Sequence, residues 1–455
     1  MSSTFTAPAH TRRRFLGSAA ITLLAARLGI AGSARAQTGK ESTMTTAMTT
    51  RYTAQDTAAD AVTPFRVDVP QADLNDLRRR LTAIRWPSKE LVADPSQGVQ
   101  LATLQALTRY WATDHDWRTT EAKLNALPQF VTTIDGLDIH FIHVKSKHEN
   151  ALPLIITHGW PGSVIEMLGT VGPLTDPTAH GGSAEDAFDV VIPSIPGYGF
   201  SAQPAEIGWG PGRVAVAWGV LMNRLGYTRY VAQGGDIGAN VTDIMGRLAP
   251  DGLLGIHLNL LASVPPAVAA ALFGGAPIPE GISDEERAAY AAFGAVYRRG
   301  YLVENIEHPQ TIGYAQADSP AGLAAWMLDH DADSYAKISR AFLDGQPSGG
   351  LTPESVVDNV ALYWLTNTGV SSARLYWEVG RALAAAAGQT PPPMALPAAY
   401  SVFPGELVLP PRNWLEQVYP NLIYFNEAER GGHFAAWEEP EIFAAELRAA
   451  FKSLR

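Results

Sequence analysis

Apolar positions along this chain switch repeatedly between the two-residue period of a half-buried strand and the three-to-four-residue period of a helix. Residues 37–63 have neither; they are rich in Thr, Ala and Ser and read as a flexible linker. From Pro64 the pattern sharpens. Phe65-Arg66-Val67-Asp68-Val69 alternates and predicts a strand. After Asp73, residues Leu74, Leu77, Leu81 and Ile84 predict a helix that Trp86-Pro87 stops. Leu101, Leu104, Leu107 and Trp111 predict a second helix over 100–113, and 138–144 alternates as a strand.

Short apolar runs of the kind buried in parallel sheets follow at 154–157, 189–192, 229–233 and 254–258, separated by helical or loop segments. That alternation predicts βαβ units. From 265 to 370 strand signals fade, and Ala-rich and aromatic helical spacing predicts a helical lid over the sheet. Strand signals return at 400–403 and 422–425, and a last helix is expected from Pro440 to about Ser453. The expected division is therefore 64–150 as an N-terminal region, 151–264 and 371–455 as two parts of one α/β core, and 265–370 as the lid.

Composition narrows the chemistry. The chain has 455 residues and a formal net charge of −11, which argues against nucleic acid as a partner. It has no cysteine, which excludes disulfides, thiolate catalysis and cysteine-bound metals. At the N-terminus, Thr11-Arg12-Arg13-Arg14-Phe15-Leu16 resembles a twin-arginine motif. An apolar run to about Ala31 and the small-x-small site Ala34-Arg35-Ala36 follow, so residues 1–36 read as an export signal. The run is shorter than the ~20 residues of a membrane span. The mature product is expected in the periplasm or outside the cell, without a membrane span. Translation from Met44 or Met48 would leave it in the cytoplasm.

The most informative motif is Gly234-Gly235-Asp236-Ile237-Gly238, directly after a strand. It is the small-x-nucleophile-x-small pattern of a tight strand-to-helix elbow, with Asp in place of the usual Ser. A carboxylate needs no base to activate it, and its attack on saturated carbon leaves an ester. Asp236 as a plain helix N-cap would not require glycines on both sides. An ester needs a general base. His433 lies in the exposed turn Arg430-Gly431-Gly432-His433-Phe434 after the last strand. A carboxylate should orient it, and chain order places that residue between Asp236 and His433. Residues 252–279 contain no acid, whereas Phe403-Pro404-Gly405-Glu406 offers Glu406 after the penultimate strand. The loop His158-Gly159-Trp160-Pro161-Gly162 should supply one backbone N–H of an oxyanion hole, from Trp160, and Ile237 the other. The side chains of His158 and Trp160 are expected to pack. An acid for a departing alkoxide could be any of Tyr290, Tyr297, Tyr301, Tyr314, Tyr335, Tyr363 and Tyr376. Asp329-His330-Asp331 reads as a solvated lid turn, and His140 and His143 fall on opposite faces of a strand, so no metal is expected from either.

Taken in order, His158-Gly159-Trp160-Pro161, Gly234-Gly235-Asp236, 318–324, Ser372-Ala373-Arg374-Leu375-Tyr376, Phe403-Pro404-Gly405-Glu406 and 430–434 resemble the epoxide hydrolases of the microsomal type. The resemblance runs from Pro64 to the C-terminus. It implies an α/β-hydrolase fold with a mostly parallel sheet, a helical lid and an N-terminal region wrapping the core. It also implies that Tyr301 and Tyr376 are the tyrosines that hold the epoxide oxygen. Asp236 would then open the ring, and His433, oriented by Glu406, would drive water onto the ester to give a vicinal diol. The implied partners are an epoxide and water, with no metal and no organic cofactor. The oligomeric state is left open. Ile237 stands where mammalian members carry Trp, and an export signal replaces their membrane anchor. Two rivals share parts of the pattern. A haloalkane dehalogenase would use the same Asp and His, but has halide donors, and Trp160 stands where a halide-binding Asn is often found. A binding protein on a hydrolase scaffold would not need an intact nucleophile, base and acid.

Overall fold

The computed structural model describes residues 61–385 and 394–455. The export signal at 1–36, Met44, Met48 and all but the last three residues of the expected linker lie outside them.

Among the described residues, nine strands form one sheet in the order β1-β2-β3-β5-β4-β6-β7-β8-β9. They are β1 Thr63–Pro64, β2 Gln129–Ile134, β3 Leu137–Val144, β4 Leu152–Thr157, β5 Phe188–Pro193, β6 Tyr230–Gly234, β7 Leu253–Leu258, β8 Ala398–Val402 and β9 Leu422–Glu427. The first three pair antiparallel, and β3 pairs antiparallel with β5. From β5 through β4 to β9 every pairing is parallel. Helices cover both faces of parallel sheets, so their strands need apolar residues on each side. Accordingly Leu154, Ile155, Ile156, Val190, Val191, Ile192, Val231 and Ala232 are all fully buried. This is the α/β-hydrolase arrangement, a mostly parallel sheet with helices around it.

The chain leaves β4 in one direction to β5 and later returns to the other side of β4 with β6. That reversal is a topological switch point, where loops at the carboxyl ends of neighbouring strands splay apart and leave a crevice. The loop after β4 begins with His158, and the turn after β6 carries Asp236.

The expected strand over 65–69 is shorter and earlier, at Thr63–Pro64. Asn125 explains the difference. Its side chain accepts from the Val67 N–H and donates to the Val67 carbonyl, both at 2.9 Å, and so takes the bonds a strand partner would have made. Helices Gln71–Thr82 and Leu101–Thr113 form as the spacing predicts. Asp116 caps a further helix, Trp117–Asn125, that sequence spacing did not reveal.

The lid comprises helices from Pro266–Phe273 onward. It does not close at 370. The helix Gly369–Ala385 packs along Gly300–Glu307 and Pro309–Asp318. The N-terminal region joins the sheet through β1 to β3, while its helices brace the lid. Arg80 donates to the Asp318 carbonyl at 2.7 Å, and the Gln100 N–H donates to the Tyr335 hydroxyl at 2.8 Å. His115 Nε2 lies 2.7 Å from Asp358 Oδ1, and Thr120 donates to the same oxygen.

Both side chains of the His115–Asp358 pair are nearly inaccessible, so removing one leaves buried polar groups unpaired, at a cost of about 3 kcal/mol. The substitution Asp358→Ala should therefore lower the thermal midpoint and speed proteolysis of the N-terminal helices. An unchanged midpoint would show that this brace contributes nothing.

Candidate active site

The elbow is built by close approach. Gly238 passes so near β4 that a Cβ there would lie 2.1 Å from the Thr157 carbonyl oxygen. Likewise a Cβ at Gly159 would lie 2.2 Å from the Asp236 Cβ. Between these contacts Asp236 takes φ of 49°, a left-handed conformation that costs a non-glycine residue about 1–3 kcal/mol. The helix Asp236–Leu248 is capped by Gly235, not by the Asp236 side chain. That carboxylate is used elsewhere. Oδ1 accepts from the Trp160 N–H at 2.8 Å, and the Tyr376 hydroxyl lies 3.5 Å from the same oxygen. Oδ2 lies 3.1 Å from His433 Nε2. Ile237 sits in the first helical turn, where backbone N–H groups have no partner within the helix.

His433 and Glu406 come from loops after β9 and β8 that meet as a parallel bridge, Gly405 to Gly432, with the Gly405 N–H donating to the Gly431 carbonyl at 3.0 Å. Glu406 Oε1 lies 2.7 Å from His433 Nδ1. Neither side chain is solvated, at 1% and 0% exposure, so Glu406 is not the surface glutamate its turn would otherwise suggest. Burial opposes charge on His433, but the Glu406 and Asp236 carboxylates win and hold it well above the usual histidine range. Burial also works to raise Asp236, yet the His330 and His433 imidazoles facing it keep it below the ordinary carboxylate range.

The two lid tyrosines flank Trp160. Tyr301 stacks on it with ring centroids 5.2 Å apart, and Tyr376 meets it edge-on at 5.9 Å. Burial, then the Asp236 charge, raises both phenols well above their ordinary value, so both hold their protons. His158 packs as expected. Its Nε2 accepts from the Ile195 N–H at 3.2 Å, and burial lowers it to about 4, so it is neutral.

Two groups at the site were not legible in the sequence. Glu166 follows Ser163 by three residues and reads as half of a capping box. Instead Ser163 accepts from the Ile165 N–H, and Glu166 turns inward. There it borders a cavity of about 20 Å³ together with Asp236, Asn259 and His433. The turn Asp329-His330-Asp331 is the second, and its reading as solvated is wrong. Only Asp329 is exposed; His330 and Asp331 are 2% and 4% accessible. Asp331 caps the helix Ala332–Leu343, which is the one signal the sequence offered. That cap carries His330 inward against His433, ring centroids 4.5 Å apart.

Similarity to known proteins agrees with this geometry. Residues 62–167 match the family model described as epoxide hydrolase N terminus. A Stigmatella aurantiaca protein whose name assigns it provisionally to the epoxide hydrolases is 51% identical over 397 residues, 87% of this chain and 86% of its own length. Epoxide hydrolase 1 of Oryctolagus cuniculus is 34% identical, covering 85% of this chain and 88% of that protein. The chain belongs to the epoxide hydrolase family. Among solved structures, juvenile hormone epoxide hydrolase of Bombyx mori superposes with a TM-score of 0.74 at 30% identity, over 87% of this chain and 95% of that one. The Aspergillus niger epoxide hydrolase gives 0.71, also at 30% identity, over 87% and 97%. This epoxide hydrolase therefore shares the α/β-hydrolase fold with its relatives. None of its described helices is long and apolar enough to cross a membrane.

Burial, reinforced by the Asp236 charge, pushes Glu166 up to about 8, so it is neutral at pH 7. The folded carboxyl keeps a proton that the unfolded chain releases above its ordinary value near 4.5. Stability from this group is thus full below that value and is lost as pH rises to about 8. Glu166→Gln removes the dependence. The thermal midpoint of the wild type should fall relative to that of the variant between about pH 5 and pH 8. Parallel curves would mean that Glu166 is ionised in the folded enzyme.

Proposed function

We propose that this epoxide hydrolase forms its diol through a covalent ester on Asp236. The observation that carries the reading is the division of the Asp236 carboxylate, with Oδ1 held by the Trp160 N–H beside Tyr376 and Oδ2 free of backbone donors beside His433. Oδ2 attacks a ring carbon, the C–O bond opens, and a proton from Tyr376 or Tyr301 meets the developing alkoxide. Both phenols are protonated and lie on the lid side of the nucleophile.

Ester formation removes the negative charge of Asp236, one of the two charges that hold a proton on His433. The same step leaves a phenolate on the donating tyrosine; the His433 imidazolium, now facing one carboxylate instead of two, gives its proton back to that phenolate, and the neutral imidazole can act as base. The cavity beside Glu166 exceeds the ~10–15 Å³ that one water needs. Water there, deprotonated by His433, would attack the ester carbonyl. The Trp160 and Ile237 N–H groups would stabilise the oxyanion, and collapse would release the diol and restore the carboxylate. Glu406 keeps the imidazole oriented throughout. The aromatic walls, Trp160, Tyr301, Tyr376 and Phe434, suit an epoxide with apolar substituents. Export by residues 1–36 is part of the same proposal. It rests on their sequence alone, and a reporter fused to residues 1–36 that stays in the cytoplasm would refute it.

His433→Gln should form the ester but hydrolyse it about 10²–10⁴-fold more slowly, so intact mass spectrometry should find the enzyme heavier by one epoxide. Free enzyme only, with normal turnover, would remove His433 from the mechanism. Tyr301→Phe and Tyr376→Phe should each slow ester formation by about 10²-fold in single-turnover kinetics, and the double variant by more. In oxygen-18 water, label should accumulate in the Asp236 carboxylate over repeated cycles. Diol formed without labelled enzyme would exclude the ester.

A further inference from the structure

Among the described residues, one group of three side chains presents metal-binding atoms to a common point, Asp236, His330 and His433, with ligand atoms all within 4.8 Å of one another. Two of its edges are known closely. Asp236 Oδ2 is 3.1 Å from His433 Nε2 and 3.6 Å from His330 Nε2. A tetrahedral Zn²⁺ with bonds of about 2.0–2.1 Å places its ligands roughly 3.3–3.5 Å apart, so only small movements would seat the ion.

The surroundings also match. A metal-bound imidazole almost always gives its other ring nitrogen to a carboxylate or carbonyl, which fixes the ring and the tautomer. His433 Nδ1 faces Glu406 Oε1 at 2.7 Å, and His330 Nδ1 faces Asp331 Oδ2 at 3.1 Å. Both rings are thereby turned so that Nε2 points at the same carboxylate oxygen. His330 Nε2 is buried, the residue being only 2% exposed, and it makes no hydrogen bond, its facing acceptor being Asp236 Oδ2 at 3.6 Å. The ring cannot turn away, because it lies against Tyr301, Trp160, His433 and Phe434. Arg299 holds its backbone carbonyl at 2.6 Å. Nothing in the diol-forming steps uses that nitrogen.

We propose that His330, His433 and Asp236 form an inhibitory site for a borderline divalent cation such as Zn²⁺. Two imidazoles, one carboxylate oxygen and a fourth position for water are a donor set suited to zinc and poorly suited to Mg²⁺ or Ca²⁺. A bound ion occupies the oxygen that attacks the epoxide and the lone pair that takes the proton from water. Epoxide and zinc then exclude one another. The effect on turnover rests on the roles proposed for Asp236 and His433, whereas binding itself does not.

Calorimetric titration of the full-length enzyme with ZnCl₂ in chelator-free buffer, alongside turnover of styrene oxide, tests both parts. One equivalent should bind at micromolar concentration, inhibit competitively with the epoxide and be reversed by EDTA, while Mg²⁺ has no effect. In His330→Phe and His330→Gln, each compared with its own metal-free activity, the Zn²⁺ needed for half inhibition should rise at least 10-fold. Absence of zinc uptake by the wild type would overturn the proposal, as would equal sensitivity of both folded variants. Zinc uptake that depends on His330 in an enzyme inert towards epoxides would leave the site standing and refute the catalytic reading instead.

Discussion

The candidate site depends on a backbone constraint, the left-handed conformation of Asp236 at the carboxyl end of β6. An extended residue there would carry the carboxylate along the sheet. The turn instead lifts it into the crevice where β4 and β6 part. The strain is tolerated because β4 and its loop press on the elbow from one side with no room for side chains at Gly159 or Gly238. Packing of the sheet thus fixes the Asp236 carboxylate, and the helix that starts at Asp236 aims its first-turn N–H groups at the same place.

Charge balance follows from that placement. A buried carboxylate is costly unless it is paired and hydrogen-bonded. Asp236 obtains a backbone donor, an imidazole that carries a proton and a phenol nearby. Glu166, close by without a cationic partner of its own, stays neutral. Two acids at one site are thus driven to opposite states by what faces each of them. His433 links the arrangement to Glu406, so the proton on its ring depends on the charge state of Asp236.

The lid supplies what the sheet does not. Tyr301 and Tyr376 arrive on the helices Gly300–Glu307 and Gly369–Ala385, which pack on each other, and Trp160 lies between their rings. N-terminal helices hold neighbouring parts of the lid through Arg80, Gln100 and His115. The family's N-terminal region therefore bears on the site only at a remove, by bracing lid helices other than the two that carry Tyr301 and Tyr376.

Much of this was legible in the chain alone where the cause is local. The alternation of short apolar runs with helical spacing gave the core strands because a strand buried on both faces must be apolar throughout. Glycines around Asp236 marked the elbow because a Cβ at Gly238 would strike β4, and Asp in place of Ser was the reason to expect ester-forming chemistry. Convergence was not local. Asn125 reclaiming the backbone of Val67, the lid running on to 385, and Glu166 and His330 turning inward all depend on contacts between distant segments. In sequence, Glu166 looks like a capping residue and His330 like part of a polar turn, because local pattern reports the helix a residue begins and not what that helix packs against. The chain by itself singled out Asp236, His433 and Glu406 as candidates; only the tertiary structure decided that they meet and which further groups share their space, since burial and distance arise from packing.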